Sequence, residues 1–240
     1  MKQRLDQLLV DRGLAASREK ARALVLAGQV TVDGEPAAKP GHAVDAGSRV
    51  EVESEPPFVG RGGVKLAAAL DHFAIDVRDR VCLDVGASTG GFTDCLLQRG
   101  ARRVYAVDVG RGQLDWKLRG DARVVVREGL NARYLKAGDI GEPVDLVVVD
   151  VSFISATLIL PALAPLAGED GELVILVKPQ FEAGRGQVGR GGVVRDPALH
   201  RAACERVEKA ARSLGFRTAL MESPITGAAG NREFLLYGRH

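Results

Sequence analysis

The sequence predicts an α/β protein: a mostly parallel sheet with helices on both faces, preceded by a small α+β module. Three observations predict it. From Val64 onward, short apolar runs alternate with helix-like segments: "VCLDVG", "RVYAVDVG", "RVVVREG", "VDLVVVDVS", "GELVILVKP", "FRTALMESP" and "EFLLYGR". Such runs suit strands buried on both faces of a sheet. Residues 1–53 have a different texture, and the Pro- and Gly-rich "SEPPFVGRGG" follows them. The 240 residues, 46% of them hydrophobic, suffice for one large core plus a small appended module. The expected division is a module over 1–55, a linker over 56–63 and a larger domain over 64–240.

Within the module, Leu5, Leu8 and Leu9 have helical spacing, and Gly13 suits the end of that helix. Ser17 then stands as an N-cap before "REKARALVLAG", which ends at Gly28. "QVTVDGEPA" reads as a strand with a turn at Asp33-Gly34, and "SRVEVE" as another strand. Residues 1–30 carry six Lys/Arg against three Asp/Glu, whereas residues 31–60 carry two against six. The module as a whole is not basic. A phosphate-binding face would have to be local, built from Arg4, Arg12, Arg18, Lys20 and Arg22. On charge alone these residues read equally as a solvated helix face. The pattern Arg4-Leu5-Asp6, Gly13, Ser17-Arg18, Ala21, Gly28, Val30, Val32, Gly34, Lys39-Pro40 and Gly47 resembles the S4 RNA-binding module, and that resemblance favours RNA.

Several classes of function are disfavoured. Cys82, Cys95 and Cys204 are scattered without metal-ligand spacing, and an odd, sparse set fits a reducing cytoplasm better than a disulfide framework. His42, His72, His200 and His240 form no cluster, and no metal is expected. The N-terminal "MKQRLDQLLVDRG" has charges every few residues and does not read as a signal peptide. The most apolar stretch, "VDLVVVDVSFISATLILPALAPLAG", contains Asp145 and Asp150 and is followed through by Pro161 and Pro165. Central charges are costly in a bilayer, so a buried strand followed by a helix explains it better, and no membrane partner is expected.

In open α/β sheets, ligands bind outside the carboxyl ends of the strands. The first strand of the larger domain ends at Asp84 and opens into Gly86-Ala87-Ser88-Thr89-Gly90-Gly91. Glycines there let backbone approach a ligand, and the following helix offers free N–H groups. The loop lacks the Gly-Lys-Ser/Thr of a P-loop and departs from Gly-x-Gly-x-x-Gly. The second strand ends in Asp108, placed to hold ribose hydroxyls, which fits NAD and S-adenosylmethionine equally. The fourth strand ends in Asp150 and the fifth in Lys178. Glu233 begins the last strand; if that strand runs antiparallel, its start shares their edge. Lys65 opens the helix before the first strand. Two lysines and two carboxylates could then converge beside the loop. A lysine whose pKa is lowered by a second lysine can take the proton of a ribose 2′-hydroxyl, with carboxylates holding the amines. Positioning for in-line transfer to the hydroxyl would supply much of the rest.

Lys65, Asp150, Lys178 and Glu233 match the Lys-Asp-Lys-Glu tetrad of FtsJ-like 2′-O-methyltransferases. Together with the S4-like module, "FVGRGGVKL", "DVGASTGGFTDCLLQ", "GQLDWKLR", "DVSFIS", "LVKPQFE" and "GAAGNREFLL" resemble the TlyA (hemolysin A) family of ribosomal RNA methyltransferases. The resemblance covers nearly the whole chain. It implies a Rossmann-like class I methyltransferase fold, S-adenosylmethionine as donor, and methylation of a cytidine ribose in 23S and possibly also 16S rRNA, with ribosomal subunits as partners. Carried across, Lys178 is the general base, Asp150 and Lys65 orient it and the substrate, and Glu233 tethers the lysines. The cofactor would be held by Asp84, Gly86, Ala87, Ser88, Thr89, Gly91, Phe92, Asp108, Val109, Asn131 and Asp150. Arg4, Arg18, Lys20, Arg22, Arg61, Arg185 and Arg190 would hold RNA, the last two from the Gly-rich "EAGRGQVGRGGVVRD", a clamp on phosphates that also carries Arg195. Phe92, Phe153 and Phe181 could stack on a base, although core packing suits most of them. The chain begins almost at the S4-like motif and stops seven residues after Glu233, which leans toward the family's shorter type, acting on the large subunit. Two other readings stay open on the residues alone: an NAD-binding oxidoreductase, from the loop and Asp108, and a cytolysin or RNA-binding protein without catalysis.

Overall fold

The computed structural model describes residues 2–26, 28–37, 39–52, 56–184, 186, 188–227 and 230–240, with the backbone alone at 169 and 190. The chain forms two units, residues 1–57 and 58–240.

The first unit runs β1 (Lys2–Arg4), α1 (Leu5–Asp11), α2 (Arg18–Leu26), β2 (Val30–Val32), β3 (Glu35–Pro36), β4 (Ala43–Asp45) and β5 (Val50–Val52). Gly13 stands just past α1 at φ +70°. Ser17 Oγ accepts from the Lys20 N–H (3.2 Å), so the expected N-cap of α2 forms. Asp33 (φ +53°) and Gly34 (φ +87°) both have positive φ and join β2 to β3, as a two-residue hairpin turn requires. β2 also pairs antiparallel with β5. β1 pairs antiparallel with β4, a short ribbon too polar to stand out in the sequence. The core is Leu5, Leu8, Leu9, Ala21, Val25 and Val30, with neighbours from β4 and β5.

The second unit runs α3 (Gly62–His72), β6 (Val81–Val85), α4 (Gly91–Gln98), β7 (Arg103–Asp108), α5 (Trp116–Arg119), β8 (Val124–Glu128), α6 (Ala137–Ile140), β9 (Val144–Val149), α7 (Leu160–Leu163), β10 (Ala167–Val177), α8 (Pro179–Glu182), α9 (Pro197–Ser213), β11 (Arg217–Glu222) and β12 (Phe234–Arg239). Its seven strands are ordered β8-β7-β6-β9-β10-β12-β11. β6 to β10 are parallel, and β12 runs antiparallel to both β10 and β11. Successive strand residues face opposite layers. Leu83, Val147 and Ile175 pack with Leu160, Leu163 and Val207 on one face. Cys82, Val148 and Leu176 pack with Leu66, Leu70 and Leu96 on the other. The strand order reverses between β6 and β9, and the crevice outside their carboxyl ends is where such sheets bind ligands.

Two regions differ from the sequence expectation. After β9 there is no long helix: α7 spans four residues between 3-10 turns at Ala156–Leu158 and Ala164–Leu166. Pro161 and Pro165 lack the N–H groups a continuous helix would need. Residues 58–63, expected in the linker, pack on the second unit. Phe58 and Val59 lie against its core, and the Val59 N–H donates to Asp94 Oδ2 (2.8 Å). The glycines there serve packing. A Cβ on Gly91 would come within 3.0 Å of both Gly60 O and Gly63 N, so the start of α3 meets the β6–α4 loop backbone to backbone. Among the described residues no helix is long and apolar enough to cross a membrane.

Candidate active site

β6 ends with Asp84-Val85 and turns at Gly86, whose φ of +86° suits glycine. A Cβ there would stand 2.4 Å from Asp150 O, so only glycine lets this loop lie against the end of β9. The Asp150 N–H in turn donates to Val85 O (2.9 Å). Two cavities open on either side of this junction. The larger, about 460 Å3, is lined by Gly86, Ser88, Asp108, Val109, Asn131 and Asp150, with Gln113, Ser152, Phe153 and Ile154 among the others. The smaller, about 200 Å3, is lined by Gly60, Arg61, Gly62, Ala87, Thr89, Gly91, Phe92 and Lys178, and shares Gly86, Ser88, Asp150 and Ser152 with the first. Ten of the eleven residues expected around the cofactor therefore line one cavity or the other.

The exception is Asp84. It is fully buried beneath the loop and lines neither cavity. Thr93 Oγ1 donates to its Oδ2 (2.6 Å), while Oδ1 has no hydrogen-bond partner. Burial pushes its carboxyl up to about 7, and the nearby Asp150 and Asp108 charges push the same way. Phe92 is also buried, packed under α3 against Gly62, so its ring belongs to the core and touches only the smaller cavity. Asp108 uses both oxygens on its own loop: Oδ2 accepts from the Ser88 N–H (2.8 Å) and Oδ1 from the Gly110 N–H (2.7 Å). A carboxylate oxygen has lone pairs to spare, so ribose hydroxyls can still reach it.

The four charged residues form two ion pairs. Lys178 Nζ lies 2.5 Å from Asp150 Oδ1 and donates to Ser152 Oγ (3.0 Å). The approach to Asp150 Oδ1 is close but off the hydrogen-bond line, since that oxygen has no aligned donor. Lys65, in the first turns of α3, pairs with Glu233 Oε2, and both side chains are buried. β12 is antiparallel to β10 with Phe234 opposite Val177, so Glu233 and Lys178 leave the sheet at the same edge. Lys65 and Glu233 line neither cavity. Gly227 adjoins Glu233 so closely that a Cβ would collide with its carboxylate.

The residues expected to bind RNA are more dispersed. Arg4 and Arg18 are half-exposed, and both reach the buried Asp6 (2.8 and 3.2 Å). Lys20 and Arg22 are exposed on α2. Arg12 donates to the Ser48 and Ala46 carbonyls (2.8 and 2.6 Å). Arg61 is exposed, with Nη2 on Thr226 O (2.8 Å). Arg185 lies outside the described residues, as does the side chain of Arg190, while Arg195 is exposed. Sequence reasoning passed over Trp116 and Tyr134, which are 76% and 67% exposed, each with a cation near its ring (Lys117 at 5.9 Å, Arg133 at 6.0 Å). It also passed over Ser152. Phe153, on the rim of the larger cavity, is 92% exposed at φ +66°, a conformation a bulky residue seldom adopts. Among the described residues no cluster of His, Cys, Asp and Glu could hold a metal.

Comparison with known proteins fits this geometry. Residues 58–240 match the family model described as FtsJ-like methyltransferase, and residues 3–50 match that of the S4 domain. A Mycobacterium tuberculosis protein named 16S/23S rRNA (cytidine-2′-O)-methyltransferase TlyA is 52% identical over 239 residues, covering 98% of this chain and 89% of its own. A Brachyspira hyodysenteriae protein named hemolysin A is 42% identical over 98% of both chains. A solved structure from Streptococcus thermophilus, provisionally assigned as a hemolysin, superposes with a TM-score of 0.76 at 46% identity, covering 99% of this chain and 88% of that one.

Proposed function

The chain belongs to the FtsJ-like methyltransferase family and carries an S4 domain, and from that premise we propose that it methylates the ribose 2′-oxygen of a cytidine in ribosomal RNA, using S-adenosylmethionine. Family membership decides against the nicotinamide oxidoreductase. The residues around the larger cavity fit the donor. Gly86 lets the loop lie against the end of β9 and lines the cavity with backbone, Asp108 stands at the end of β7 for ribose hydroxyls, and Val109 and Ile154 offer apolar surface. When bound, the donor supplies a methyl carbon made electrophilic by its sulfonium.

The observation that carries the reading is Lys178, whose amine sits on the smaller cavity beside Asp150 and Ser152. In this reading Lys178, in its neutral form, would take the 2′-hydroxyl proton on Nζ, leaving that oxygen able to receive the methyl group that the donor gives up as its carbon–sulfur bond breaks. Asp150 and Ser152 fix the amine's place, so little ordering is left for the moment of reaction. Glu233, at the sheet edge where Lys178 leaves, holds Lys65 in a buried pair in which each charge compensates the other. Exposed Lys20 and Arg22 on the S4 unit suit phosphate, and the exposed Trp116–Lys117 and Arg133–Tyr134 pairs suit unstacked bases.

The test is methyl transfer from tritiated S-adenosylmethionine to ribosomal subunits. Lys178→Ala should lose about 10²–10⁴-fold in rate. Lys178→Arg should fail as well, because a guanidinium keeps its proton. Either variant methylating like the parent sinks the base assignment. Mapping ribose methylation on 16S and 23S rRNA, from cells with and without the protein, identifies the nucleotide.

A further inference from the structure

Glu182 is a carboxylate the proposed chemistry does not use, yet it is buried to 3% exposure. It closes α8, the short helix that begins immediately after Lys178. Its side chain crosses to the loop after β9. Oε2 accepts from Ser155 Oγ (2.5 Å), and Oε1 accepts from the Ala156 N–H (2.7 Å). Its own carbonyl accepts from Arg206 Nη1 on α9. Ser155 in turn caps the 3-10 turn at Ala156–Leu158, and its hydroxyl meets Thr157 Oγ1 (2.7 Å).

Both ends of this bridge lead to the reacting groups. The loop that Glu182 grips carries Asp150, Ser152 and Phe153, and the helix it belongs to carries Lys178 at its start. The contacts from Lys178 to Asp150 and Ser152 run between these same two segments. A buried carboxylate is costly unless its hydrogen bonds are made. Burial does push the Glu182 carboxyl up, and the Ser155 and Ala156 bonds oppose that shift. A merely exposed loop would not need such an anchor.

We propose that Glu182 is a positioning residue for methyl transfer: its carboxylate clamps the Asp150–Ala156 loop to the Lys178 helix and so sets the amine against Asp150 and Ser152. The inference rests on the activity proposed above. Misplacing a reacting group by about 1 Å can cost on the order of 10²-fold, so loss of the clamp should appear in turnover.

Glu182→Ala, assayed at saturating S-adenosylmethionine and ribosomal subunits and well below its melting temperature, should lose about tenfold or more in kcat. The KM for subunits should stay within about threefold, because the RNA-facing residues are untouched. Glu182→Gln should remain within about threefold of the parent: its amide oxygen can still accept from Ala156, and its NH2 can donate to Ser155 Oγ. Ser155→Ala should fall between them and add nothing to Glu182→Ala, since both remove the same bridge. Parental kcat in Glu182→Ala, or independent multiplication of the two losses, overturns the proposal. If Glu182→Ala does not fold, Ser155→Ala decides, and parental kcat there overturns it. A parent protein inactive on subunits sinks the proposed activity instead. Hydrogen exchange over 150–156 then reads the clamp: faster in Ser155→Ala but parental in Glu182→Gln supports it, and no change in either overturns it.

Discussion

Asp6 and Asp84 are both fully buried aspartates, one in each unit, and they sit at opposite ends of the carboxylate range. Arg4 holds Asp6 through Nε (3.0 Å) and Nη2 (2.8 Å), and Arg18 adds Nη2 (3.2 Å). Those bonds, Arg4's first, bring its carboxyl down to about 2 despite burial. Asp84 has one hydroxyl, Thr93, and two neighbouring carboxylates, and burial takes it up to about 7. Burial penalises the charge at both sites; what differs is whether a guanidinium answers it. The contrast recasts three residues. Arg4 and Arg18 were expected to face RNA, and the structure gives both a second task, compensating a buried charge. Asp84 was expected to touch the cofactor, and it is fully buried and lines neither cavity.

The largest way to break the comparison is Asp6→Ala. It strands two guanidiniums and empties a buried position in a unit of only 57 residues, where stability is marginal. Because both arginines are half-exposed, water recovers part of the loss, leaving about 2–3 kcal/mol. Far-UV circular dichroism in urea should show an early transition from this unit. Trp116, the single tryptophan, reports the other unit by fluorescence and should hold its midpoint. Acid should act alike on the parent. Asp6 binds its proton at a lower pH folded than unfolded, so its stabilisation is present above about pH 4 and is lost as pH falls through about 2. A first unit unaffected by Asp6→Ala would mean the ion pairs are ornamental.

What the sequence made legible follows the same division between local pattern and partner. The seven apolar runs became the seven strands; the inner ones are apolar because both faces are buried, whereas β11, at the sheet's edge, is largely exposed. The last strand is antiparallel, the condition under which the sequence placed Glu233 at the edge where Lys178 leaves the sheet. The Asp33-Gly34 turn and the Ser17 cap were equally plain, being set within four residues. Roles that depend on a distant partner were not legible. "GRGG" read as linker because nothing local shows that Gly60 and Gly63 must touch Gly91. Glu182 in "KPQFE" looks like an ordinary surface charge until the loop after β9 is laid against it. The pairing of the four charged residues as Lys65–Glu233 and Lys178–Asp150 likewise had no local signal.

Asp84→Asn sharpens the comparison from the other side, with a smaller effect. Folded Asp84 binds a proton more tightly than unfolded aspartate does. Between about pH 4 and about 7 the folded state therefore holds the extra proton, and stability falls as pH rises through that window. Asparagine cannot ionise, and its oxygen can still accept from Thr93. The variant should match the parent near pH 4 and be more stable by about 1–2 kcal/mol at pH 8, less than the full shift because the surroundings relax. Trp116 fluorescence in urea at several pH values reads this. Equal pH slopes in parent and variant would show that Asp84 is not the group responsible.

The smallest effect separates burial from charge altogether. Cys82, Cys95 and Cys204 are buried in the second unit, and burial pushes each thiol up to about 12. Unlike Asp84, each is neutral in its ordinary state, so the same loss of water costs almost nothing and needs no partner. A thiol reagent at pH 8 should label none of them in the native protein and all three after unfolding, since the thiolate is the reactive form. Because they sit on β6, α4 and α9, labelling also tests the layers separately. Rapid labelling of Cys82 or Cys95 without denaturant would mean that the layer around Asp84 admits water. The raised Asp84 carboxyl would then lose its cause, and the contrast with Asp6 would shrink to a difference in partners alone.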